Sequence, residues 1–97
     1  MRQFDLVQIG RSSYALLLQA DLLDSTNTQV VAPLIEVKSV KPTTKLHPLV
    51  EVKGRKYIVA VEKMSAVHRG EIKTVVGSMK DREWDVRRAL DLVFVGV

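Results

Sequence analysis

The sequence contains no cysteine, which excludes disulfide bridges, thiolate zinc sites and a cysteine nucleophile. Aromatic residues are only 5% of the chain, and no apolar run reaches the roughly 18 residues of a membrane-spanning helix. The five glycines are isolated, so neither a P-loop nor a dinucleotide-binding loop is present. The N-terminal MRQFDLVQI lacks the residue order of a signal peptide. These absences predict a soluble, cytoplasmic protein without a cofactor.

What is present indicates a small β-rich domain. The 97 residues suffice for one compact core, so residues 1–97 are predicted to form a single domain. Hydrophobic residues make up 46% of the chain and lean toward Val and Leu, a composition that favours strands. We predict a mostly β fold in which five or six strands form a twisted antiparallel sheet or partly closed barrel, with one C-terminal helix packed against it.

The first half of the chain divides into three predicted strands. FDLVQI alternates apolar and polar residues and is followed by the breaker GRSS. Residues 14–23, YALLLQADLL, predict a second strand that ends at the polar turn DSTNT. Residues 29–40 predict a long third strand. Because Pro33 has no N–H to donate, we expect it at an edge or bulge of a kinked or shared strand.

The second half contains a hairpin and a further strand. Lys53 and Gly54 lie between two alternating runs and are suited to the positive φ angles of a two-residue turn. Residues 57–61 are apolar on both faces and predict a central strand. Residues 64–71 are predicted to be a connection, and residues 71–76 another strand.

The C-terminal segment has the pattern of an amphipathic helix. Ser78 and Asp81 have the spacing of a capping box. Apolar residues follow at spacings of four, three and four: Val86, Leu90, Val93 and Val97. The opposite face carries the charged residues Glu83, Arg87, Arg88 and Asp91. The last nine residues, ALDLVFVGV, are almost entirely apolar, so they are either part of the core or a surface kept apolar for a partner.

The net charge is +4, and the one local excess of basic residues lies in residues 38–56. There, one acid, Glu51, accompanies six basic residues: Lys38, Lys41, Lys45, Lys53, Arg55 and Lys56. Such a surface attracts anionic partners, including nucleic acid and acidic peptides, although a solvated face has the same composition.

Few residues suggest catalysis or metal binding. His47 and His68 are far apart and lack a metal-binding motif, so no metal site is predicted. His68, Arg69 and Glu71 lie together and offer the base, acid and cation of a ribonuclease, or simply a solvated charged loop. For nucleic-acid binding, only Tyr57 supplies an aromatic ring near the basic residues.

Several short motifs, in order along the chain, are shared with a known family. They comprise M-x-Q-F at the start, Tyr14, DLLD at residues 21–24, APL at 32–34, LHPLV at 46–50, Met64-Ser65 and DREWDVRRALDLVFVGV at 81–97. Each is weak alone, but together they cover the whole chain with few insertions. The sequence resembles the CcdB toxins.

This resemblance implies a homodimer of SH3-like barrels, each with a small wing sheet and a C-terminal helix. Family members are not enzymes; they are toxins of toxin–antitoxin modules that serve in plasmid maintenance. They poison DNA gyrase by inserting the paired helix ends into its A subunit while that enzyme holds cleaved DNA. The partner is a CcdA-like antitoxin with a disordered acidic tail, and toxin and antitoxin together bind operator DNA as a repressor.

The resemblance also implies positions for the two binding sites. The gyrase site would comprise Glu83, Arg87, Arg88, Asp91, Val95, Gly96 and Val97. The four charged residues also have the pattern of a solvated helix face with pairs such as Glu83 and Arg87. By their charge, the basic residues of 38–56 named above are suited to capture the acidic antitoxin tail. The family ends in Trp-Gly-Ile, whereas this chain has Val at position 95 and so lacks the aromatic anchor. We expect Trp84 to pack or to lie at the rim, and Phe94 to pack beneath the tip.

Two alternatives remain open at this stage. A ribonuclease toxin of the Kid and MazF type would share the barrel, although GRSS lacks the proline of a G-x-R-P-like signature. A non-toxic homologue that only binds antitoxin is the other, because Val95 replaces the family tryptophan.

Overall fold

The computed structural model of the protein describes residues 1–37 and 46–96. Its regular elements are β1 (Asp5–Ile9), β2 (Ser13–Leu17), β3 (Thr28–Glu36), β4 (Leu49–Val52), β5 (Arg55–Val59), β6 (Ser65–His68), β7 (Ile72–Ser78) and α1 (Glu83–Phe94). Single turns of 3₁₀ helix lie at Asp21–Leu23, Val61–Lys63, Arg69–Glu71 and Lys80–Arg82. The mostly β prediction with one C-terminal helix is confirmed, and the described chain has seven strands where five or six were expected.

The strands form a curled antiparallel sheet that wraps into a half-barrel. The strand order is β4-β5-β3-β2-β1-β7, and β6 pairs with β3 outside this path. One body of the sheet therefore contains β6, β3, β2, β1 and β7, while β4, β5 and the end of β3 form a small wing. This is the barrel with a wing sheet that the family resemblance implied.

The third strand is shared between the two parts of the sheet, as predicted. Its first half pairs with β6, from Thr28 opposite His68 to Val31 opposite Ser65, and its second half pairs with β5. The expectation that Pro33 lies at an edge is wrong, because Pro33 faces Ala15 of β2 in the middle of the sheet. The Pro33 carbonyl accepts a hydrogen bond from the Ala60 N–H, where the chain passes from β5 toward β6. Pro33 cannot return a bond to Ala60, but the Ala60 carbonyl accepts the Lys63 N–H at 3.0 Å instead and so has a donor.

The β4–β5 hairpin has the turn that its sequence predicts. Lys53 and Gly54 adopt φ angles of +52° and +82°, and Val52 pairs with Arg55 directly across the turn. A two-residue turn with positive φ at both positions matches the natural twist of the paired strands, and glycine adopts such angles without a steric penalty. β5 lies between β3 and β4, so the prediction of a central strand is confirmed, although the strand ends at Val59 and the predicted last residue, Val61, begins a 3₁₀ turn.

Two apolar clusters lie on the two sides of the sheet. The larger contains Phe4, Leu16, Val59 and Val61 and receives Val86 and Ala89 from α1, all of them almost fully buried. The smaller cluster is built around Val7, Ala15, Leu17 and Val31 on the opposite side. Burial of apolar surface from both sheet faces and from the helix is the main force that holds α1 against the sheet.

Two predictions of secondary structure are wrong, one in each half of the chain. The strand expected over residues 14–23 ends at Leu17, and Asp21–Leu23 forms a 3₁₀ turn instead. The Asp21 carboxylate accepts the Gln3 N–H at 2.8 Å, which holds this turn beside the N-terminal segment. Residues 64–71, expected to be a connection, contain β6, which pairs with β3. Both errors concern short segments whose structure depends on partners distant in sequence.

The predicted capping box at the start of the helix does not form. Ser78 Oγ accepts the Lys80 N–H at 3.0 Å and so begins a 3₁₀ turn rather than the α-helix. The α-helix begins at Glu83, and its preceding residue, Arg82, supplies no side-chain cap. Arg82 instead donates a hydrogen bond to the carbonyl of Leu49, which ties the helix start to β4.

Candidate functional site

The helix α1 presents one face to the core and leaves its C-terminal end outside. Val86 and Ala89 are fully buried, and Leu90 and Val93 pack against the same cluster. The spacing of these residues follows the helical repeat, which confirms the apolar face predicted for Val86, Leu90 and Val93. Val97, the last residue of the predicted row, lies outside the described residues.

The end of α1 exposes two large apolar side chains. Phe94 is 71% exposed and Val95 is 68% exposed. The expectation that Phe94 packs beneath the tip is therefore wrong: Phe94 is the last residue of α1, and its side chain remains in solvent. The N–H groups of Val95 and Gly96 both approach the Asp91 carbonyl, at 2.7 Å and 3.1 Å, and Gly96 has a φ of +83°. This left-handed glycine ends the helix directly after the apolar pair.

The four charged residues of the predicted gyrase site fall into two groups. Glu83 accepts from Arg87 Nε at 3.0 Å and lies 3.3 Å from Lys80 Nζ. Hydrogen bonds from Arg87 and Lys80 lower the pKa of Glu83. Both cations also lie over the Phe4 ring, with Lys80 Nζ 5.7 Å and the Arg87 guanidinium 5.9 Å from its centroid. Glu83 and Arg87 are therefore engaged within the fold.

Arg88 and Asp91 form the second group, on the outer side of the helix. Both are exposed, and neither side chain has an ion pair in the part of the chain that is described. Trp84 precedes Arg88 by four residues and is 76% exposed, so it lies at the surface rather than in the packing. Trp84, Arg88, Asp91 and Val95 have the spacing of a single helical stripe.

A second exposed apolar surface was missed in the sequence. Leu22 and Leu23, on the 3₁₀ turn after β2, are 91% and 51% exposed, and Met1 is 42% exposed. In the sequence, these two leucines lie between Asp21 and Asp24. Because they follow an apolar run, they were predicted to be the end of a buried strand. Side chains this exposed contribute little to the core.

The basic residues of the predicted antitoxin site are described only at the hairpin. Lys53, Arg55 and Lys56 are all exposed, and Arg55 lies 3.6 Å from the Glu36 carboxylate. The other members of the predicted set, Lys38, Lys41 and Lys45, lie outside the described residues.

The fold brings a further cation, unexpected from the sequence, to this hairpin. Arg11, in the turn between β1 and β2, lines a cleft of about 320 Å³ together with Tyr14, Lys53, Arg55 and Tyr57. Tyr14 and Tyr57 meet edge to face, with ring centroids 5.7 Å apart and an angle of 78° between their planes. We call this feature the hairpin cleft. In the sequence, only Tyr57 lies near the basic residues of 38–56. The fold adds the ring of Tyr14, from β2, and the guanidinium of Arg11, from the turn between β1 and β2.

Of the three residues considered for ribonuclease chemistry, Arg69 and His68 have partners within the fold, and Glu71 is exposed. The Arg69 guanidinium donates to the carbonyl of Asp24 and, at 3.3 Å, to that of Thr26, and lies 3.6 Å from the Asp24 carboxylate. His68 Nδ1 accepts the Gly70 N–H at 3.0 Å. Arg69 therefore holds the loop between β2 and β3.

The remaining histidine lies beside a carboxylate. His47 Nε2 lies 2.8 Å from Glu62 Oε1. Desolvation acts to raise the pKa of Glu62, but hydrogen bonds from its own backbone and from His47 outweigh it and lower that pKa. Within residues 1–37 and 46–96, no group of three or more His, Cys, Asp or Glu side chains is arranged to hold a metal ion. Among the same residues, no helix is long and apolar enough to cross a membrane.

Comparison with solved structures shows the same fold in toxins. The chain is similar to the Mycobacterium tuberculosis toxin MazF-mt6, with a TM-score of 0.74, 14% identity and 96% coverage of both chains. It is also similar to an endoribonuclease in complex with its cognate antitoxin from a mycobacterial species, with a TM-score of 0.75, 11% identity and coverage of 96% and 93%. At the level of sequence, the family model described as CcdB protein matches residues 3–96.

Proposed function

The chain belongs to the CcdB family of toxin–antitoxin toxins, and on this basis we propose that it inhibits DNA gyrase by binding the gyrase A subunit through the end of α1. The observation that carries the proposal is the exposure of Phe94 and Val95 at that end. Exposed apolar side chains are unfavourable in water and release free energy when a partner buries them. The proposed contact residues are Glu83, Arg87, Arg88, Asp91, Phe94, Val95, Gly96 and Val97.

Within this set, the apolar residues and the free charges have different roles. Phe94 and Val95 supply buried area, while Arg88 and Asp91 make polar contacts at the rim. Glu83 and Arg87 already pair with each other, so their contacts with gyrase should add less affinity than those of Arg88 and Asp91. We further propose that the active form is a homodimer, which presents two helix ends to one gyrase dimer.

The proposal is tested by a cleavage assay with purified gyrase and supercoiled DNA. The expected result is accumulation of cleaved DNA that depends on the protein and is lost with a toxin-resistant form of the gyrase A subunit. Expression from an inducible promoter should stop growth of a sensitive host, and the resistant gyrase should restore it. A protein that leaves gyrase unaffected yet still binds an antitoxin would instead be the non-toxic homologue.

We propose that the partner antitoxin places an acidic segment against Lys53, Arg55 and Lys56 of the hairpin. The solved relative in complex with its cognate antitoxin supports an antitoxin partner for this fold. Binding between opposite charges at an exposed surface weakens as salt screens them. Affinity for an acidic antitoxin peptide should therefore fall with rising salt, and an affinity that does not change would contradict this assignment. Operator binding is proposed only for the complex of the two proteins.

The second candidate is a ribonuclease toxin, which is favoured by the similarity of the fold to endoribonucleases. We propose that the chain is not an enzyme, because Arg69, the cation of the candidate set, is occupied with the carbonyls of Asp24 and Thr26. Incubation of purified protein with single-stranded RNA separates the candidates. Cleavage that is lost in Arg69→Ala, with the melting temperature retained, would overturn the binding-only proposal.

A further inference from the structure

We propose that the hairpin cleft binds single-stranded nucleic acid through its phosphate backbone and one or more bases. This inference is independent of the gyrase proposal, because the cleft is formed by the β1–β2 turn and the β4–β5 turn rather than by α1. Lys53 and Arg55 are shared with the surface proposed for the antitoxin, so the two ligands would compete for them, whereas Arg11, Tyr14 and Tyr57 belong to the cleft alone.

The charge of the cleft is the first argument. Arg11, Lys53 and Arg55 line it, and none of the residues that line it is acidic. In the described part of the chain, neither Arg11 nor Lys53 has a carboxylate within ion-pair distance, whereas Arg55 has Glu36 at 3.6 Å. At least two cations therefore face the cleft without a counter-charge. Guanidinium and ammonium groups in this position are suited to phosphate oxygens.

The rigidity of both rims is the second argument. Gly10, with a φ of +61°, begins the β1–β2 turn, and its N–H donates to the Glu71 carbonyl at 3.1 Å. The Gln8 side chain donates to the Arg11 carbonyl at 2.8 Å. The opposite rim is the two-residue hairpin turn at Lys53 and Gly54. The backbones that carry Arg11 and Lys53 are therefore fixed before a ligand arrives, which lowers the entropic cost of binding.

The aromatic pair distinguishes a nucleic acid from an acidic peptide. Tyr14 and Tyr57 lie between the two basic rims and meet edge to face. In such a pair, the ring that contributes its edge keeps its own faces uncovered by the other ring. A base stacks on an aromatic face, and cations beside it hold the backbone, which is the common arrangement in proteins that bind single strands. A carboxylate peptide would use the cations but not the rings.

The test is fluorescence anisotropy with a labelled oligouridine of about 10 nucleotides, within the usual site size for single strands. Arg11→Ala and Lys53→Ala should each weaken binding several-fold. Each should also reduce the slope of log affinity against log salt by about 0.7, the value for one lost phosphate contact on a single strand. Lys63→Ala is the matched control, because it removes the same charge from an exposed residue outside the cleft.

The contribution of the ring is tested separately. Tyr57→Leu should weaken binding by about 5- to 150-fold if the ring stacks on a base, whereas Tyr57→Phe should retain most of the affinity. Because Tyr57 also packs against the core, a thermal melt must show that Tyr57→Leu is folded; the two cation variants decide the question if it is not.

Two results would overturn the proposal. If Lys63→Ala weakens RNA binding as much as Arg11→Ala and Lys53→Ala, the interaction is non-specific attraction to a basic protein. If an oligoglutamate probe binds with dependence on Arg11 and Lys53 while oligouridine does not bind, the cleft is a site for an acidic peptide.

Discussion

Replacing Phe94 and Val95 by serine should abolish most gyrase binding without unfolding the protein. Both side chains lie at the end of α1 and are 71% and 68% exposed. In the free protein they contribute little to the core, so the double variant should change the free energy of unfolding by no more than about 0.5 kcal/mol per position.

The size of the binding loss follows from these exposures. Full burial of a Val or Phe side chain is worth about 1.5–3 kcal/mol. With roughly 70% of each side chain available to a partner, each contributes about 1–2 kcal/mol, or about 2–4 kcal/mol together. Because 1.4 kcal/mol corresponds to a factor of ten, the Kd for the gyrase A subunit should rise about 30-fold to several hundredfold.

The assay is titration calorimetry or surface-immobilised binding with the purified gyrase A subunit, together with a thermal melt. Trp84→Ser is the matched control: it removes an aromatic side chain of similar exposure from the same helix, about 15 Å from the end. Its effect on affinity should be no more than a few-fold. Unchanged gyrase binding in the double variant would refute the reasoning. A fall of many degrees in its melting temperature would also refute it, because Phe94 and Val95 would then stabilise the fold of the free protein.

Four further predictions concern the helix and the hairpin. Val95→Trp should strengthen gyrase binding about 5- to 30-fold if a partner arginine lies over the new ring, since a desolvated cation–π contact is worth about 1–2 kcal/mol; unchanged affinity in calorimetry would contradict it. Val86→Ala, at a fully buried position, should cost about 2–3 kcal/mol through lost apolar burial and a cavity, measured as a lower urea midpoint at constant m value. Gly54→Ala should cost about 1–2 kcal/mol because φ is +82° there, although the new methyl group has no neighbour within 4 Å; a melting temperature equal to wild type would contradict the turn geometry. Glu83 has a lowered pKa in the folded state, so its bond to Arg87 stabilises the protein above the usual glutamate pKa of about 4.3 and is lost as the pH falls through the folded pKa. The melting temperature of wild type should therefore exceed that of Glu83→Gln at neutral pH, and the difference should shrink on acidification; a constant difference would show that the bond does not titrate.

Local chemistry explains which parts of the fold were predictable. The turn at Lys53 and Gly54 follows from two residues that tolerate positive φ between alternating strands, and it forms as predicted. The apolar face of α1 follows from the helical repeat of Val86, Leu90 and Val93. In contrast, β6 forms only because residues 65–68 find the first half of β3, more than thirty residues earlier in the chain. A four-residue strand carries too little periodicity of its own to reveal such a partner.

The candidate sites were also predictable only in part. The sequence pointed to the helix end and to the basic hairpin, but it misplaced Phe94 and assigned Leu22 and Leu23 to a strand. Exposure depends on what covers a side chain, and an amphipathic pattern specifies only which residues share a face. The hairpin cleft depends even more on the fold, because Arg11 and Tyr14 meet Lys53 and Tyr57 only through the curl of the sheet.

The amino-acid sequence by itself determined the β-rich composition, the hairpin turn, the helix and its buried face, and the motifs of the CcdB family. These properties depend on propensities and spacings between residues close together in the chain. Only the tertiary structure decided which apolar residues remain in water and which charges are paired. It also decided that two tyrosines and three cations from segments distant in sequence share one cleft. Those outcomes depend on contacts between segments distant in sequence, which no local pattern encodes.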